Sequence, residues 1–204
     1  MDRDSLSKQY VKRSGLLKQT ALNLEMKVHD DLTEVGHVDR ISFRAKGLDS
    51  FLQKVLERKV DPPYENPLTE VEDQLAGRIL VFFLSDMDLV RARLEQVFTF
   101  VESARREPQK DAEFGYESHH VVCVIPPEVK PNGWSDEADM PNTFELQIRT
   151  LCMHAWAEPQ HDVGYKSTED LTKEDRRELA WVAASIWGAD HALERVWKRR
   201  RTPG

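Results

Sequence analysis

From Phe144 to Arg149 apolar and polar side chains alternate, with Phe144, Leu146 and Ile148 set against Glu145, Gln147 and Arg149. A period of two is that of a β-strand, so one face turns to a core and the other carries a carboxylate, an amide and a guanidinium roughly 6.5 Å apart. Alone, such alternation describes any sheet with one solvated face. Apolar runs predict two more strands, at 79–84 and 121–125. Leu17, Ala21, Leu24, Val28 and Leu32 recur at helical spacing and predict an amphipathic helix over about 5–32. A second helix is predicted over 47–59, ended near Asp61-Pro62-Pro63, and a third from about Ser85, where Asp86 and Asp88 suit the positive end of its dipole. A further helix carries His154 and Glu158, and Pro159 is expected to kink or end it.

Near the C-terminus Leu179, Val182, Ile186, Ala189, Leu193 and Val196 follow a 3, 4, 3, 4, 3 spacing. That seam is shorter than the three to four heptads that argue for a coiled coil. It predicts helices over about 172–198 docked on their own domain, with Trp181, Trp187 and Trp197 widening the buried face, and leaves a homo-oligomer open. The stretch 126–142 is polar and predicts a long loop, either a mobile hairpin or a flap beside a site. The pattern as a whole predicts an α/β fold of the α+β type. A mixed β-sheet is flanked by helices in one domain, 1–204, with an N-terminal helix at 5–32, a core at 40–166 and C-terminal helices at 172–198.

Composition narrows the function classes. Lys and Arg number 29 against 36 Asp and Glu, a net charge of −7, which disfavours nonspecific nucleic-acid binding while allowing a local basic patch. Lys198 to Arg201 form a basic tail, a solubilising end or an RNA contact. Two cysteines, Cys123 and Cys152, fit free thiols of a reducing compartment. No apolar stretch approaches the ~20 residues of a membrane span, and the N-terminus lacks a signal-peptide core, so a cytoplasmic protein with no membrane partner is expected.

Four segments carry candidate chemistry. Arg44 and Lys46 precede the second helix, which bears Lys54, and basic groups so placed can hold a polyphosphate through charge-assisted hydrogen bonds. Glu72 and Asp73 lead through Ala76-Gly77-Arg78 into the first apolar run; Asp73 with Glu145 would make a pair of hard oxygen ligands for Mg²⁺. In Phe114 to His120, reading FGYESHH, Gly115 frees the backbone before Tyr116, whose ring could stack on a base for roughly 1–3 kcal/mol. The fourth segment is the alternating strand, followed by MHAWAEPQHDVGYK. On the predicted helix His154, Glu158 and His161 could also form a metal site.

The combination of R-x-K with Ser50 and Lys54, D-x4-R, FGY-x-S-x-H, and E-x-Q-I-R-T followed by MHAWAE and H-x3-YK resembles the synthetase domain of the RelA/SpoT family, the makers of the alarmones ppGpp and pppGpp. The likeness spans about residues 40–166. It implies a nucleotidyltransferase-like synthetase fold and transfer of pyrophosphate from ATP to the 3′-hydroxyl of a guanine nucleotide, with Mg²⁺ as cofactor. By resemblance, Arg44 and Arg78 sandwich the adenine of ATP, Lys46 and Lys54 grip the ATP phosphates, and Asp73 holds Mg²⁺. Glu145 shares the ion and activates the acceptor hydroxyl, Tyr116 stacks on the acceptor base, and Gln147, His120 and His154 belong to the nucleotide sites. Arg105 falls at a position for a phosphate contact.

Three departures bear on this. Gly77 directly precedes Arg78, where the family has its glycine one residue earlier. Ala112 stands where many relatives place a lysine for the acceptor's 5′-phosphates, with Lys110 as a substitute, and Pro159 interrupts the helix of His154. The alanine leaves tRNA open as an alternative acceptor, its 3′-terminal adenosine taking the pyrophosphate and Lys12, Arg13, Lys18 and the basic tail contacting the RNA. An antitoxin partner, or a nucleotide-binding module without catalysis, stays open with it.

Overall fold

The computed structural model describes residues 2–57, 63–106, 118–136, 139–165 and 171–201. In chain order the elements are α1 (Arg3–Asp31), β1 (Val38–Ala45), α2 (Leu48–Leu56), α3 (Pro67–Glu70), β2 (Leu75–Val81), α4 (Leu84–Val97), β3 (Phe100–Arg106), β4 (Ser118–Val124), β5 (Thr143–Thr150), α5 (Leu151–Tyr165) and α6 (Lys173–Arg201). The strands form a mixed sheet in the order β1-β2-β5-β4-β3, with β2 and β5 parallel and the other pairs antiparallel. The expected mixed sheet flanked by helices is therefore present.

Alternation makes the sheet two-faced. Ile79, Val121, Phe144, Leu146 and Ile148 enter a core closed by Leu17, Ala21, Leu24 and Val28 of α1, Phe51 of α2 and Val90 and Leu94 of α4. Glu145, Gln147 and Arg149 emerge on the other face, and α5 lies over it. Gly77 serves the core face, because a Cβ there would come within 2.5 Å of the Phe43 ring and 2.7 Å of Leu146. Its position beside Arg78 is thus a packing requirement between β1 and β5.

Several elements differ from their predicted form. The first apolar run starts earlier, as β2, and Phe82 and Phe83 leave the sheet, Phe83 becoming the N-cap of α4. Strands β1 and β3, both at sheet edges, carry too many charged residues to show an apolar run. The loop after β4 is pinned: Val129, Trp134 and Met140 are buried, and Asn23 of α1 donates to the Val129 carbonyl at 2.9 Å. Helix α5 continues through Pro159.

The C-terminal seam is turned outward. Helix α6 buries Ala183, Asp190 and Glu194, and Trp197 stacks on Phe83 at 4.8 Å. Leu193 and Val196 remain 47% and 48% exposed, and Trp181 68%. Polar anchors hold the docked face instead: Glu194 accepts from the Ser85 amide at 3.1 Å, and Asp190 accepts from Thr150 Oγ1 at 2.5 Å. Among the described residues both cysteines are free, with Cys123 buried and Cys152 partly buried. No helix of the described residues is long and apolar enough to cross a membrane.

Candidate active site

The polar face of the sheet gathers residues from distant parts of the chain by register alone. Arg78 of β2 pairs with Gln147 of β5, and Gln147 with His120 of β4, so the three side chains share one row. Arg44, Ala76, Glu145 and Val122 make the neighbouring row. Arg44 and Arg78 are diagonal neighbours on the same face of adjacent strands, a spacing of roughly 7–8 Å.

Within this face Glu145 is held by two neighbours. Its Oε1 lies 3.0 Å from His120 Nδ1 and accepts from Gln147 Nε2 at 3.0 Å, while Arg149 donates to Gln147 Oε1 at 2.9 Å. The His120 hydrogen bond and then Gln147 outweigh the upward push of burial and hold the Glu145 carboxyl down to about 2. It is an anion at any pH near neutrality.

A second cluster sits where β1 ends and β2 begins. Lys46 Nζ lies 2.6 Å from Asp73 Oδ2 and Lys54 Nζ 2.9 Å from Oδ1, so one carboxylate is clasped by two ammoniums. Burial raises the Asp73 carboxyl, but the hydrogen bonds and charges of the two lysines prevail and leave it below its usual value. Lys54 also acts on Glu145, which joins the two clusters into one charged surface.

The third group comes from α5. Glu158 Oε1 lies 3.0 Å from Arg78 and 3.6 Å from Arg149. His154 is 3.6 Å from the same oxygen, but burial, followed by Arg149 and Arg78, lowers its pKa, so the ring is neutral near pH 7 and the contact is not an ion pair. Glu158 is therefore turned to arginines and does not form the helical metal site with His154; the side chain of His161 is not among those described.

The structure thus brings Arg44, Lys46, Lys54, Asp73, Arg78, His120, Glu145, Gln147 and His154 to one face or its rim. It does not bring Arg105 there. Arg105 pairs with His119, and His119 with Ile148 on the core side, where His119 meets Asp88 of α4 at 3.0 Å; Arg105 therefore projects from the opposite face of the sheet. Arg13, expected to touch RNA, is 3% exposed and donates to the carbonyls of Leu68 and Asp139. Tyr116, Lys110 and Ala112 lie outside the described residues. Sequence reasoning gave Arg149 no role although it was visible in the polar row, and took Glu158 only as a metal ligand; the packing of α5 shows that Glu158 meets Arg78 and Arg149.

Asp73 and Glu145 suit Mg²⁺ by donor chemistry: both are held as anions, and Glu145 Oε2 is clear of the bonds that His120 and Gln147 make to Oε1. Among the described residues no group of three or more His, Cys, Asp or Glu side chains is placed to hold a metal.

Comparison with known proteins bears on the family and the fold. The family model described as "Region found in RelA / SpoT proteins" matches residues 43–170. GTP pyrophosphokinase YjbM of Bacillus subtilis (strain 168) is 29% identical over 164 residues, covering 78% of this chain and 72% of that protein. GTP pyrophosphokinase YwaC of the same organism is 24% identical over 151 residues, 72% and 69% of the two chains. Among solved structures, small alarmone synthetase 1 from Bacillus subtilis superposes with a TM-score of 0.76 at 20% identity, over 94% of this chain and 97% of that one. The same synthetase bound to its product pppGpp gives 0.72 at 20% identity, over 96% and 100%. At these identities the superpositions establish the fold.

Proposed function

The chain belongs to the RelA/SpoT family, and we propose that it is an ATP-dependent pyrophosphotransferase whose acceptor is the 3′-hydroxyl of GTP or GDP, yielding pppGpp or ppGpp and AMP. The observation that carries this is the meeting, on one sheet face, of an anionic Glu145 flanked by His120 and Gln147 with the Lys46–Asp73–Lys54 cluster. The names of the two GTP pyrophosphokinases and the pppGpp bound to a like-folded synthetase support a guanine nucleotide as acceptor.

In this mechanism the acceptor's 3′-oxygen attacks the β-phosphorus of ATP. The bond from that phosphorus to the oxygen bridging to the α-phosphate breaks, AMP departs with that oxygen, and the hydroxyl proton leaves to a nearby base or water. The protein's part is positioning and charge neutralisation, as in other phosphoryl transfers. Arg44 and Arg78 take the two sides of adenine, and Lys46 and Lys54 turn from Asp73 to the phosphates. Asp73 and Glu145 would hold Mg²⁺, which when bound neutralises charge on the transferring group. Glu145 orients the hydroxyl as a hydrogen-bond acceptor, since a carboxyl held near 2 is a weak base. Tyr116 stacks on the acceptor base.

Incubating the purified protein with γ-labelled ATP, Mg²⁺ and either GTP, GDP or deacylated tRNA tests the assignment. Labelled ppGpp or pppGpp is the expected product. Labelled tRNA without either alarmone would replace the nucleotide acceptor by the tRNA end, and no transfer to any acceptor would remove the catalytic reading.

A further inference from the structure

The two lysines on Asp73 are held by a residue of a different element. Tyr10 of α1 is 1% exposed, and its hydroxyl donates to the Lys46 carbonyl at 2.8 Å. On the other side of the same residue the Lys46 amide donates to the Gln74 carbonyl at 2.8 Å, one residue beyond Asp73. Lys46 is thus fixed at both ends of its backbone just where β1 stops and regular pairing no longer constrains it. The Tyr10 ring also stacks on Phe51 of α2, centroids 4.2 Å apart and planes inclined by 18°. Phe51 lies one helical turn before Lys54, so a single side chain braces the strand end that presents one lysine and the helix that presents the other.

We infer that Tyr10 is a positioning residue that sets Lys46 and Lys54 for the polyphosphate of the donor nucleotide. The inference rests on the proposed function in assigning those lysines to ATP. Nothing about a buried tyrosine on a packed helix requires its hydroxyl to end on that carbonyl; a phenylalanine would fill the same space against Phe51. The hydroxyl adds direction to a backbone that carries a long, rotatable ammonium, and direction is what a phosphate clasp needs.

The test is calorimetric binding of AMPCPP with Mg²⁺, and separately of GTP, to wild type, Tyr10→Phe, Lys46→Ala and the double variant. Tyr10→Phe keeps the stack and removes one hydrogen bond, so it melts near wild type, loses about fivefold in AMPCPP affinity and holds GTP unchanged. In the Lys46→Ala background the same substitution has little further effect on AMPCPP, because the residue through which it acts is gone. A loss that persists in that background, a loss shared equally by both nucleotides, or an affinity within twofold of wild type overturns the inference. If Tyr10→Phe does not fold, Phe51→Leu replaces it with the same expectation: loss confined to AMPCPP supports, equal loss overturns. Wild type that binds AMPCPP and makes alarmone yet ignores the hydroxyl sinks this inference alone, whereas wild type that binds no AMPCPP sinks it together with the proposed function.

Discussion

Glu158 of α5 places its Oε1 3.0 Å from the guanidinium of Arg78 in the middle of β2. Under the proposed assignment of Arg78 to adenine, its guanidinium is shared with a carboxylate that the nucleotide would displace. With Glu158 52% exposed, the pair contributes at most about 1 kcal/mol to the fold. Glu158→Gln should therefore melt near wild type and bind AMPCPP about twofold to threefold more tightly, a gain of up to ~0.7 kcal/mol. Weaker binding by the Gln variant would mean that Glu158 contacts the nucleotide and does not compete with it.

Asp73→Ala and Glu145→Ala should abolish pyrophosphate transfer and leave far-UV circular dichroism unchanged. Asp73 is the anion common to Lys46 and Lys54, and Glu145 the anion shared by His120 and Gln147. A folded variant of either kind that keeps more than about a tenth of the wild-type rate, a barrier change under ~1.4 kcal/mol, would contradict these roles.

The sequence showed the polar row of β5 directly, because a strict period of two from Phe144 to Arg149 has one geometric meaning. It did not show β1 or β3, where Asp39, Arg40 and Arg44, or Glu102, Arg105 and Arg106, interrupt any apolar signal. An edge strand with a wet face is stabilised by its one partner and by non-local cover. Glu25 of α1, for example, accepts from the Phe43 amide at 2.8 Å. Losing β3 also lost the parity of Arg105, since the side of the sheet follows from pairing and not from position in the chain. The outward seam of α6 has a similar cause: apolar spacing identifies a stripe, but Asp190 and Glu194 find hydrogen-bond partners on the domain that the apolar stripe does not need.

Acid stability should report the His120–Glu145 bond. The Glu145 carboxyl is lowered from 4.5 to about 2, chiefly by His120. A lowered folded-state pKa contributes stability that is complete above the unfolded value and lost as pH falls through the folded one, so the window runs from about 4.5 down to about 2. In urea unfolding, His120→Ala should be less stable than wild type at pH 6, and the gap should narrow by pH 3. An equal gap at both would place the cost of the substitution in packing.

Two glycines should respond in opposite directions to alanine. A Cβ at Gly77 would meet Phe43 at 2.5 Å and Leu146 at 2.7 Å, so Gly77→Ala should destabilise by roughly 1–3 kcal/mol through overpacking. Gly15, inside α1, has nothing within 4 Å of its Cβ position, and Gly15→Ala should stabilise by about 0.8–1 kcal/mol through helix propensity. Thermal unfolding of both decides the matter. A neutral Gly77→Ala would mean that the Phe43 ring can swing clear of β2.

Arg78 and Arg105 separate the two faces of the sheet as functional surfaces. Both are arginines on strands, and the family resemblance assigns both to nucleotide. Register splits them, with Arg78 in the row of Gln147 and His120 and Arg105 in the row of His119 and Ile148. On the Arg105 side the neighbours are groups of α4: Asp88 bonds His119, while Arg91 and Arg105 both act on that ring electrostatically. Arg78→Ala should then weaken AMPCPP binding by about 1–3 kcal/mol, the value of one stacked base, while Arg105→Ala leaves AMPCPP and GTP affinities unchanged. Both variants should keep the fold, since Arg78 is partly exposed and paired with an exposed glutamate, and Arg105 is itself exposed. A loss of nucleotide affinity in Arg105→Ala comparable to that in Arg78→Ala would require the ligand-bound protein to carry β3 in a different register from the one described.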